Sequence, residues 1–260
     1  MKTRIIAVAN HKGGVGKTTT VASLGSILSK KGYKVMLIDL DAQANLTHSL
    51  TTLTDGATIY DAMTGRADGL PVIAITDNLH LVPASLTLAM ADVELSTAIA
   101  RERILSDTLY NSGIADTYGF IFFDCPPSLG LMTLNAFTAA TDIIIPLVSE
   151  VLPFKGLTMI NDFIKMVHTR LNPSAHITGI LITRWESSRL SKGIETNLRQ
   201  ALGDVVFQTK IRKNIRLAEA PLENADIVDY DPKCNGAIDY QAFADEFLCR
   251  IQSTRKTDKT

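Results

Sequence analysis

A glycine-rich loop near the start of the chain most constrains its fold. Residues 10–20 read NHKGGVGKTTT and lie between an apolar run at 5–9 and an amphipathic stretch at 18–31. A strand, a glycine loop and a helix in this order form a phosphate-binding loop, because backbone N–H groups and the helix N-terminus converge on a polyphosphate. Glycine lets the backbone turn sharply and approach the ligand without a Cβ atom in the way. The segment therefore predicts a nucleotide site.

Individual side chains of this loop have distinct expected roles. The Lys17 ammonium can reach the β- and γ-phosphates, and the Thr18 hydroxyl can ligate Mg²⁺. The strict G-x-x-x-x-G-K-[ST] pattern fails at His11, and a second lysine, Lys12, follows it. A solvated loop lysine is one interpretation of Lys12, but the surrounding sequence favours a role at the nucleotide. The predicted nucleotide-binding residues of the loop are Lys12, Gly13, Gly14, Val15, Gly16, Lys17, Thr18 and Thr19.

The composition suits one globular domain. Of the 260 residues, 46% are hydrophobic and 20% are charged, which allows a substantial core. A formal net charge of -1 gives no overall attraction to nucleic acid, so any such binding needs a local basic patch. We predict a single domain over residues 1–251 and a polar, disordered tail over 252–260.

The cysteines and the apolar segments argue against several other classes of protein. Cys125, Cys234 and Cys249 have no C-x-x-C spacing, which disfavours a disulfide scaffold, a zinc ribbon and an iron–sulfur cluster and favours a reducing cytoplasm. No segment approaches the ~18 apolar residues that span a bilayer. The apolar run at 5–9 continues into the glycine loop, so it is interpreted as a buried strand and not as a signal peptide.

Apolar runs and helical stretches alternate along the chain, a pattern typical of a parallel sheet covered on both faces. The predicted strands, rich in Ile, Val and Phe, are 5–9, 35–38, 79–82, 120–123, 143–147 and 177–182. The predicted helices are 18–31, 86–109, 131–140, 154–170, 192–202 and 237–251. The expected fold class is therefore α/β, with a doubly wound, mostly parallel sheet and helices on both faces.

Three aspartates follow predicted strands, at the edge where ligands bind in open parallel sheets. Asp39 and Asp41 come just after the strand at 35–38 and point the same way if the strand geometry persists. One can hold a Mg²⁺-bound water while the other orients the attacking water, although an aspartate pair can also cap the next segment. Asp124 ends the strand at 120–123 in the manner of a Walker B carboxylate and would hold Mg²⁺ through water.

These segments together resemble the ParA/MinD superfamily of ATPases. The matching stretches are KGGVGKT at 12–18, LIDLDAQANLT at 37–47, FFDCPPSLG at 122–130 and TKIRKNIRLAEAP at 209–221. The last resembles the family's T-x-I-P-R-N-V-R-L-S-E-A-P, with Arg212 in place of its proline. The chain is thus similar to a small ParA-type partition ATPase, a P-loop NTPase of the deviant Walker A class.

The resemblance implies ATP and Mg²⁺ as cofactors and assigns further roles. Lys12 would reach across a dimer to the partner's nucleotide, and Asn214 would sit at the base. Asp41 aligns with the hydrolytic aspartate and Asp39 with its metal-side partner. The catalytic residues would be Lys12, Lys17 and Asp41, and the metal-side residues Thr18, Asp39 and Asp124.

By the same resemblance, ATP would close a homodimer that binds DNA without sequence preference, until a ParB-like partner triggers hydrolysis. A basic cluster supports a DNA surface; it consists of Arg184, Arg189, Lys192, Lys210, Arg212, Lys213 and Arg216. Scattered solvated charge is the alternative interpretation. We expect DNA contacts from Arg189, Lys213 and Arg216, and a cytoplasmic location at the nucleoid.

Two related classes remain as alternatives. A MinD-like membrane-cycling ATPase would need a terminal amphipathic helix with bulky apolar and basic faces. The last predicted helix carries Asp245 and Glu246 and leads into STRKTDKT, so no stable membrane association is expected. Nitrogenase-type reductases share the loop but need cluster-ligating cysteines, which the three cysteines do not supply.

Overall fold

Eight strands form a single sheet in the computed structural model, which describes residues 3–53, 55–149 and 153–257. In chain order they are β1 (Arg4–Val8), β2 (Val35–Asp39), β3 (Ile73–Thr76), β4 (Leu79–Val82), β5 (Phe120–Asp124), β6 (Asp142–Val148), β7 (His176–Trp185) and β8 (Val206–Arg212). Their order across the sheet is β3-β4-β2-β5-β1-β6-β7-β8, and only β3 and β4 pair antiparallel. The predicted α/β fold with a mostly parallel sheet is confirmed.

Strand β1 lies where the connections of the sheet change direction. It is flanked by β5 and β6, with Val8 opposite Asp124 on one side and Ile144 on the other. The chain first runs from β1 to β2, beyond β5, and fills the other half of the sheet only later, from β6 onward. Ligands of open parallel sheets bind beyond the carboxyl ends of the strands at such a point. The loop that follows β1 is therefore in the position that the fold provides for a ligand.

Helices cover both faces of the sheet. They are α1 (Lys17–Lys30), α2 (Asn45–Leu50), α3 (Ile59–Met63), α4 (Ala91–Glu94), α5 (Ile104–Asn111), α6 (Leu131–Ala139), α7 (Pro153–Arg170), α8 (Arg189–Leu202), α9 (Arg216–Glu219), α10 (Ile227–Tyr230) and α11 (Asn235–Thr257). Alternate side chains of a strand point to opposite faces. Ile6 and Val8 of β1 pack in one hydrophobic cluster with α1 and α11, whereas Ala7 packs in the other, with α5 to α8.

The predicted continuous helix at 86–109 is wrong. The segment forms α4 and α5 together with three short 3₁₀ turns, at Leu86–Met90, Leu95–Thr97 and Arg101–Arg103. The helical path is interrupted between the second and third of these turns, where Ala98 is extended and Ala100 has a left-handed backbone with φ 53°. This reversal brings Leu95 and Leu105, on either side of it, into the same core. Tertiary packing therefore overrides a sequence that contains no glycine or proline at the break.

Strands β3 and β8 are the two edges of the sheet, and the sequence does not predict either. β3 alternates between half-buried and exposed residues, and the middle of β8, from Gln208 to Lys210, is polar. An edge strand has only one neighbour, so its sequence lacks the continuous apolar run that marks a strand buried on both faces. β8 matters for the site because the segment expected at the base begins at its end.

Helix α11 extends beyond the predicted helix at 237–251, so residues 252–257 of the predicted tail continue it. Residues 258–260 of that tail lie outside the described residues. One side of α11 is seated in the core through Tyr240, Phe243, Phe247 and Ile251, all at most 2% exposed. Among the residues that the structure describes, no helix has the length and apolar character needed to cross a membrane.

Candidate nucleotide-binding site

The loop between β1 and α1 wraps around the side chain of Lys17. Gly14 and Gly16 have φ values of 71° and 86°, a left-handed conformation that residues with a Cβ rarely adopt. Lys17, the first residue of α1, is buried, and its Nζ donates to the carbonyl oxygen of Lys12 at 3.2 Å. Burial lowers the pKa of the Lys17 ammonium, and the nearby Asp124 carboxylate opposes this shift. The loop thus holds a desolvated amine through the carbonyl oxygen of Lys12.

Thr18 and Asp124 meet beside this loop. The Thr18 hydroxyl donates to Oδ2 of Asp124 at 2.7 Å, whereas Oδ1 of Asp124 is buried without a hydrogen-bond partner among the described residues. Burial, and then the charge of Asp39, raise the pKa of Asp124 well above its ordinary value. A buried carboxylate oxygen without a partner is costly unless a cation or water completes it.

Asp39 ends β2 directly opposite Asp124 in β5. Its Oδ2 accepts from the backbone N and the hydroxyl of Thr47, at 2.9 and 2.8 Å. Burial raises the pKa of Asp39 to about 6, although the hydrogen bonds from Thr47 favour the ionised form. The two carboxyl groups therefore share one buried region, and each is held by a threonine.

Asp41 occupies a different position from Asp39. β2 ends at Asp39, whose Oδ1 accepts from the backbone N of Asp41 at 3.1 Å. Asp41 is half-buried and lines the open cavity, where its Oδ1 accepts from the backbone N of Gln43 at 3.0 Å. Its carboxylate is therefore the one that can contact a water molecule in the cavity.

The residues present fit Mg²⁺ in the way that this ion usually binds nucleotides. Mg²⁺ keeps several waters and takes one or two protein oxygens together with phosphate oxygens. The unpartnered Oδ1 of Asp124 and the adjacent Thr18 hydroxyl supply such oxygens. Within the described ranges, no group of three or more His, Cys, Asp or Glu residues could hold a metal by itself.

A cavity of about 710 Å³ extends from the phosphate loop to the end of β8. At the phosphate end it is lined by Gly13, Gly14, Gly16, Lys17, Thr18, Thr19, Asp41 and Pro127. At the far end it is lined by Ile211, Arg212, Lys213, Asn214, Ile215, Leu217, Pro221, Ile227 and Tyr240, most of them apolar or partly apolar. Six of the eight predicted loop residues and Asn214 thus line one cavity, whereas Lys12 and Val15 line a separate, much smaller one. The size of the larger cavity, its charged end and its apolar end suit a nucleoside polyphosphate.

Three residues at the far end make contacts that the sequence does not predict. Arg212, at the position of the family's proline, forms an ion pair of 2.6 Å with Asp239 of α11 and also donates its backbone N to that carboxylate. Tyr240 lies within 3.1 Å of the Thr20 hydroxyl of α1. α11 therefore fixes both the segment around Asn214 and the helix that follows the phosphate loop. Only the tertiary structure shows these links, because the partners are far apart in the chain.

The basic cluster is largely engaged in ion pairs. Lys213 contacts Glu186 at 2.7 Å, and Arg216 contacts Glu219 at 2.7 Å and Asp231 at 3.6 Å. Lys210 and Arg212 are likewise paired with acidic residues. Arg189, at the start of α8, is exposed and has no ion-pair partner among the residues described. Of the three residues predicted to contact DNA, Arg189 is the one with an unshared charge.

Comparison with known proteins identifies relatives over almost the whole chain. A family model described as an AAA domain matches residues 3–177. The chromosome-partitioning ATPase Soj of Treponema pallidum is 39% identical over 95% of this chain and 98% of its own length. The sporulation initiation inhibitor protein Soj of Bacillus subtilis is 38% identical over 94% of this chain and 97% of its own.

A solved structure agrees in fold. The crystal structure of cobyrinic acid a,c-diamide synthase from Mycobacterium smegmatis with bound ADP and magnesium superposes with a TM-score of 0.83. It is 33% identical and covers 98% of this chain and 97% of its own. The similarity in sequence and the similarity in structure both extend from β1 to α11. The chain belongs to the ParA/Soj family of partition ATPases.

Proposed function

We propose that the chain is a partition ATPase that hydrolyses ATP with Mg²⁺ to separate DNA. The observation that carries the proposal is the convergence of Lys17 and the Thr18–Asp124 pair at one end of a nucleotide-sized cavity. The Soj protein of Treponema pallidum is named for chromosome partitioning. The M. smegmatis structure contains ADP and magnesium.

Residues of this chain have separate roles in the proposed reaction. The backbone N–H groups of 13–19 and the Lys17 ammonium bind the phosphates, and Asn214 contacts the base. Thr18 and Asp124, supported by Asp39, hold Mg²⁺, which would neutralise charge on the phosphates. Asp41 orients the attacking water from the open side of the cavity, because its carboxylate is accessible where those of Asp39 and Asp124 are buried.

Dimerisation on ATP binding is supported by an exposed apolar stripe, which consists of Leu86, Met90 and Val93. These side chains are 72%, 59% and 78% exposed and belong to the 3₁₀ turn at Leu86–Met90 and the adjoining α4. The stripe lies beside the site, because the backbone N of Ala84 donates to the Thr47 hydroxyl, which itself contacts Asp39. A contiguous exposed apolar surface favours a protein contact.

In the dimer, two copies of the exposed Arg189 region would form one positive surface. Such a surface binds DNA through phosphates, so the affinity depends on salt and little on sequence. A ParB-like partner would then stimulate ATP hydrolysis and release of the dimer from DNA. The protein would accordingly be cytoplasmic and would associate with the nucleoid while it holds ATP.

A MinD-like membrane cycle is the alternative that shares the same site. The packing of α11 does not favour it, because Phe243, Phe247 and Ile251 occupy the core and are not available to enter a bilayer. A membrane anchor would need bulky apolar residues on an exposed helix face.

The test is a gel shift on random-sequence DNA in parallel with liposome co-sedimentation, each with and without ATP. We expect ATP-dependent retention on DNA, with a log–log salt slope that Arg189→Glu reduces by about one unit for each DNA phosphate that the arginine neutralises. Arg170→Glu is the matched control, because Arg170 is exposed and ends α7 before the start of β7, whereas Arg189 follows the end of that strand.

Three results would contradict the proposal. They are a wild-type protein that ignores DNA at low salt, ATP-dependent sedimentation with liposomes, or ATP turnover that requires an added carboxylic acid and an amide donor. The last would favour an amide synthase, the activity in the name of the M. smegmatis protein.

A further inference from the structure

Arg184, near the end of β7, has an unusual backbone for its size. Its φ is 50°, in the left-handed region, where the other non-glycine residues of the described chain are Ala44, Ala100 and Asn224. A long side chain on such a backbone is unfavourable, and it persists only where the surroundings impose it. Residues of this kind cluster at ligand sites. The contacts of Arg184 indicate which part of the site imposes its conformation.

The end of β7 is attached to both halves of the cavity. The Thr183 hydroxyl donates to the Val15 carbonyl oxygen at 2.8 Å, and Nη1 of Arg184 donates to the Gly14 carbonyl oxygen at 3.3 Å. On the other side, the backbone N of Lys213 donates to the Trp185 carbonyl oxygen at 3.0 Å. Arg184 is therefore held between the phosphate loop and the segment that contains Asn214.

The order of strands indicates which part of a nucleotide lies near Arg184. The oxygens that suit Mg²⁺ are on the β5 side of β1, at Asp124 and Thr18. β7 and β8 lie on the opposite side of β1, and Asn214 follows β8. If the terminal phosphates of a nucleotide lie toward Asp124, its sugar and base lie beside the carboxyl ends of β7 and β8. Arg184 lines the cavity there and is exposed, so its guanidinium is accessible.

We propose that Arg184 is a nucleoside-contacting residue, whose guanidinium bridges the Gly14 carbonyl oxygen and the face of the purine base. A guanidinium is planar, stacks on aromatic rings and donates hydrogen bonds in its own plane, so one group can make both contacts. The Arg184 side chain lies close to Gly14, since a Cβ atom added to Gly14 would be 3.9 Å from Nη1 of Arg184. The proposal rests on the proposed binding of ATP.

The test compares nucleotide with bare polyphosphate by calorimetry on the full chain with Mg²⁺. For Arg184→Met, we expect the affinity for ATP and for ADP to fall about tenfold each, and the affinity for inorganic tripolyphosphate to stay unchanged. A residue that only stabilises the phosphate loop would lower all three. Arg170→Met is the matched control, an exposed arginine at the end of α7 and outside the cavity lining.

A second variant separates ligand contact from folding. Asn tolerates the left-handed backbone, so Arg184→Asn should keep or raise the melting temperature while it weakens ATP and ADP binding. Equal loss of tripolyphosphate affinity, or unchanged nucleotide affinity in both variants, would overturn the inference. A wild-type protein that binds no ATP would instead refute the proposed function, and this inference with it.

Discussion

Asp39 and Asp124 stand opposite each other at the ends of the adjacent parallel strands β2 and β5, and both are at most 1% exposed. Thr47 donates to the first and Thr18 to the second. Two neighbouring buried carboxylates repel each other, so the charge of Asp39 adds to burial in raising the pKa of Asp124. We therefore expect this pair to make the stability of the nucleotide-free protein depend on pH.

The nucleotide-free protein should lose stability as the pH rises. Burial raises the pKa of Asp39 to about 6, and that of Asp124 well above its ordinary value. A carboxyl with a raised folded-state pKa stabilises the fold fully below its unfolded pKa, and this contribution is lost as the pH rises through the folded value. We expect the melting temperature to decrease from roughly pH 4 to pH 7 through these groups.

Asp124→Asn should flatten this pH dependence, because Asn can still accept from Thr18 but does not titrate. Thermal melts at constant ionic strength measure the effect. Mg²⁺ with ATP should act in the opposite direction and stabilise the protein more at pH 7 than at pH 5, since binding needs both carboxylates ionised. A wild-type profile that is flat over this range would contradict the assigned pKa shifts.

The two loop lysines should separate nucleotide binding from dimerisation. Lys17→Ala should weaken ATP binding by about 100-fold or more, because the variant cannot form the buried charged hydrogen bond to the phosphates. Lys12→Ala should retain binding but fail to form the ATP dimer, since its proposed target lies on the other subunit. Light scattering with a slowly hydrolysed ATP analogue measures this. Normal dimerisation of Lys12→Ala would rule out the contact across the dimer.

Asp41 should be needed for hydrolysis and not for binding. We expect Asp41→Ala to bind ATP and Mg²⁺ and to remain dimeric, with phosphate release reduced by about 100-fold or more. Asp124→Asn serves as the contrasting variant, because it should weaken Mg²⁺-dependent binding itself. If Asp41→Ala released phosphate at the wild-type rate, a group other than Asp41 would orient the attacking water.

The apolar stripe should be required for the ATP dimer. Met90→Glu places a charge in the centre of Leu86, Met90 and Val93 and should weaken dimerisation at least about tenfold, with ATP affinity unchanged. Val205→Asp is the control, because this residue is 39% exposed and precedes β8 at the far edge of the sheet. Analytical ultracentrifugation with the ATP analogue compares the two. A dimer as stable as that of the wild type would place the interface elsewhere.

The phosphate end of the site could be predicted because its residues are close together in sequence or end buried strands. Lys17 and Thr18 begin α1, after the loop that follows β1, and Asp39 and Asp124 end two of the most apolar strands. Parallel strands bring such ends to one edge of the sheet, so their proximity follows from topology. The α/β fold and the membership of the ParA/Soj family are confirmed, whereas the roles of the individual site residues stay predictions.

The base end could not be predicted to the same depth. Tyr240 lines the cavity and Asp239 pairs with Arg212 only because α11 packs on β8 and α1, and nothing in their local sequence indicates a ligand. From the sequence, Arg184 is only one member of the basic cluster. Its positive φ is a property of the folded chain and becomes known only with the structure. The break at Ala100 depends likewise on packing, without a glycine or proline to mark it.

The link between Tyr240 and Thr20 has a consequence for biosynthesis. The two residues are separated by 220 positions, so a growing chain completes its phosphate loop long before the opposite wall of the cavity exists. A ribosome that adds ~5–20 residues per second needs roughly 10 s or more to make the intervening chain. Until α11 emerges and docks, a nascent chain has a loop that can attract phosphate but no complete pocket for a nucleotide. Chains that stop short of α11 should therefore be unable to compete for ATP or to enter dimers with finished copies.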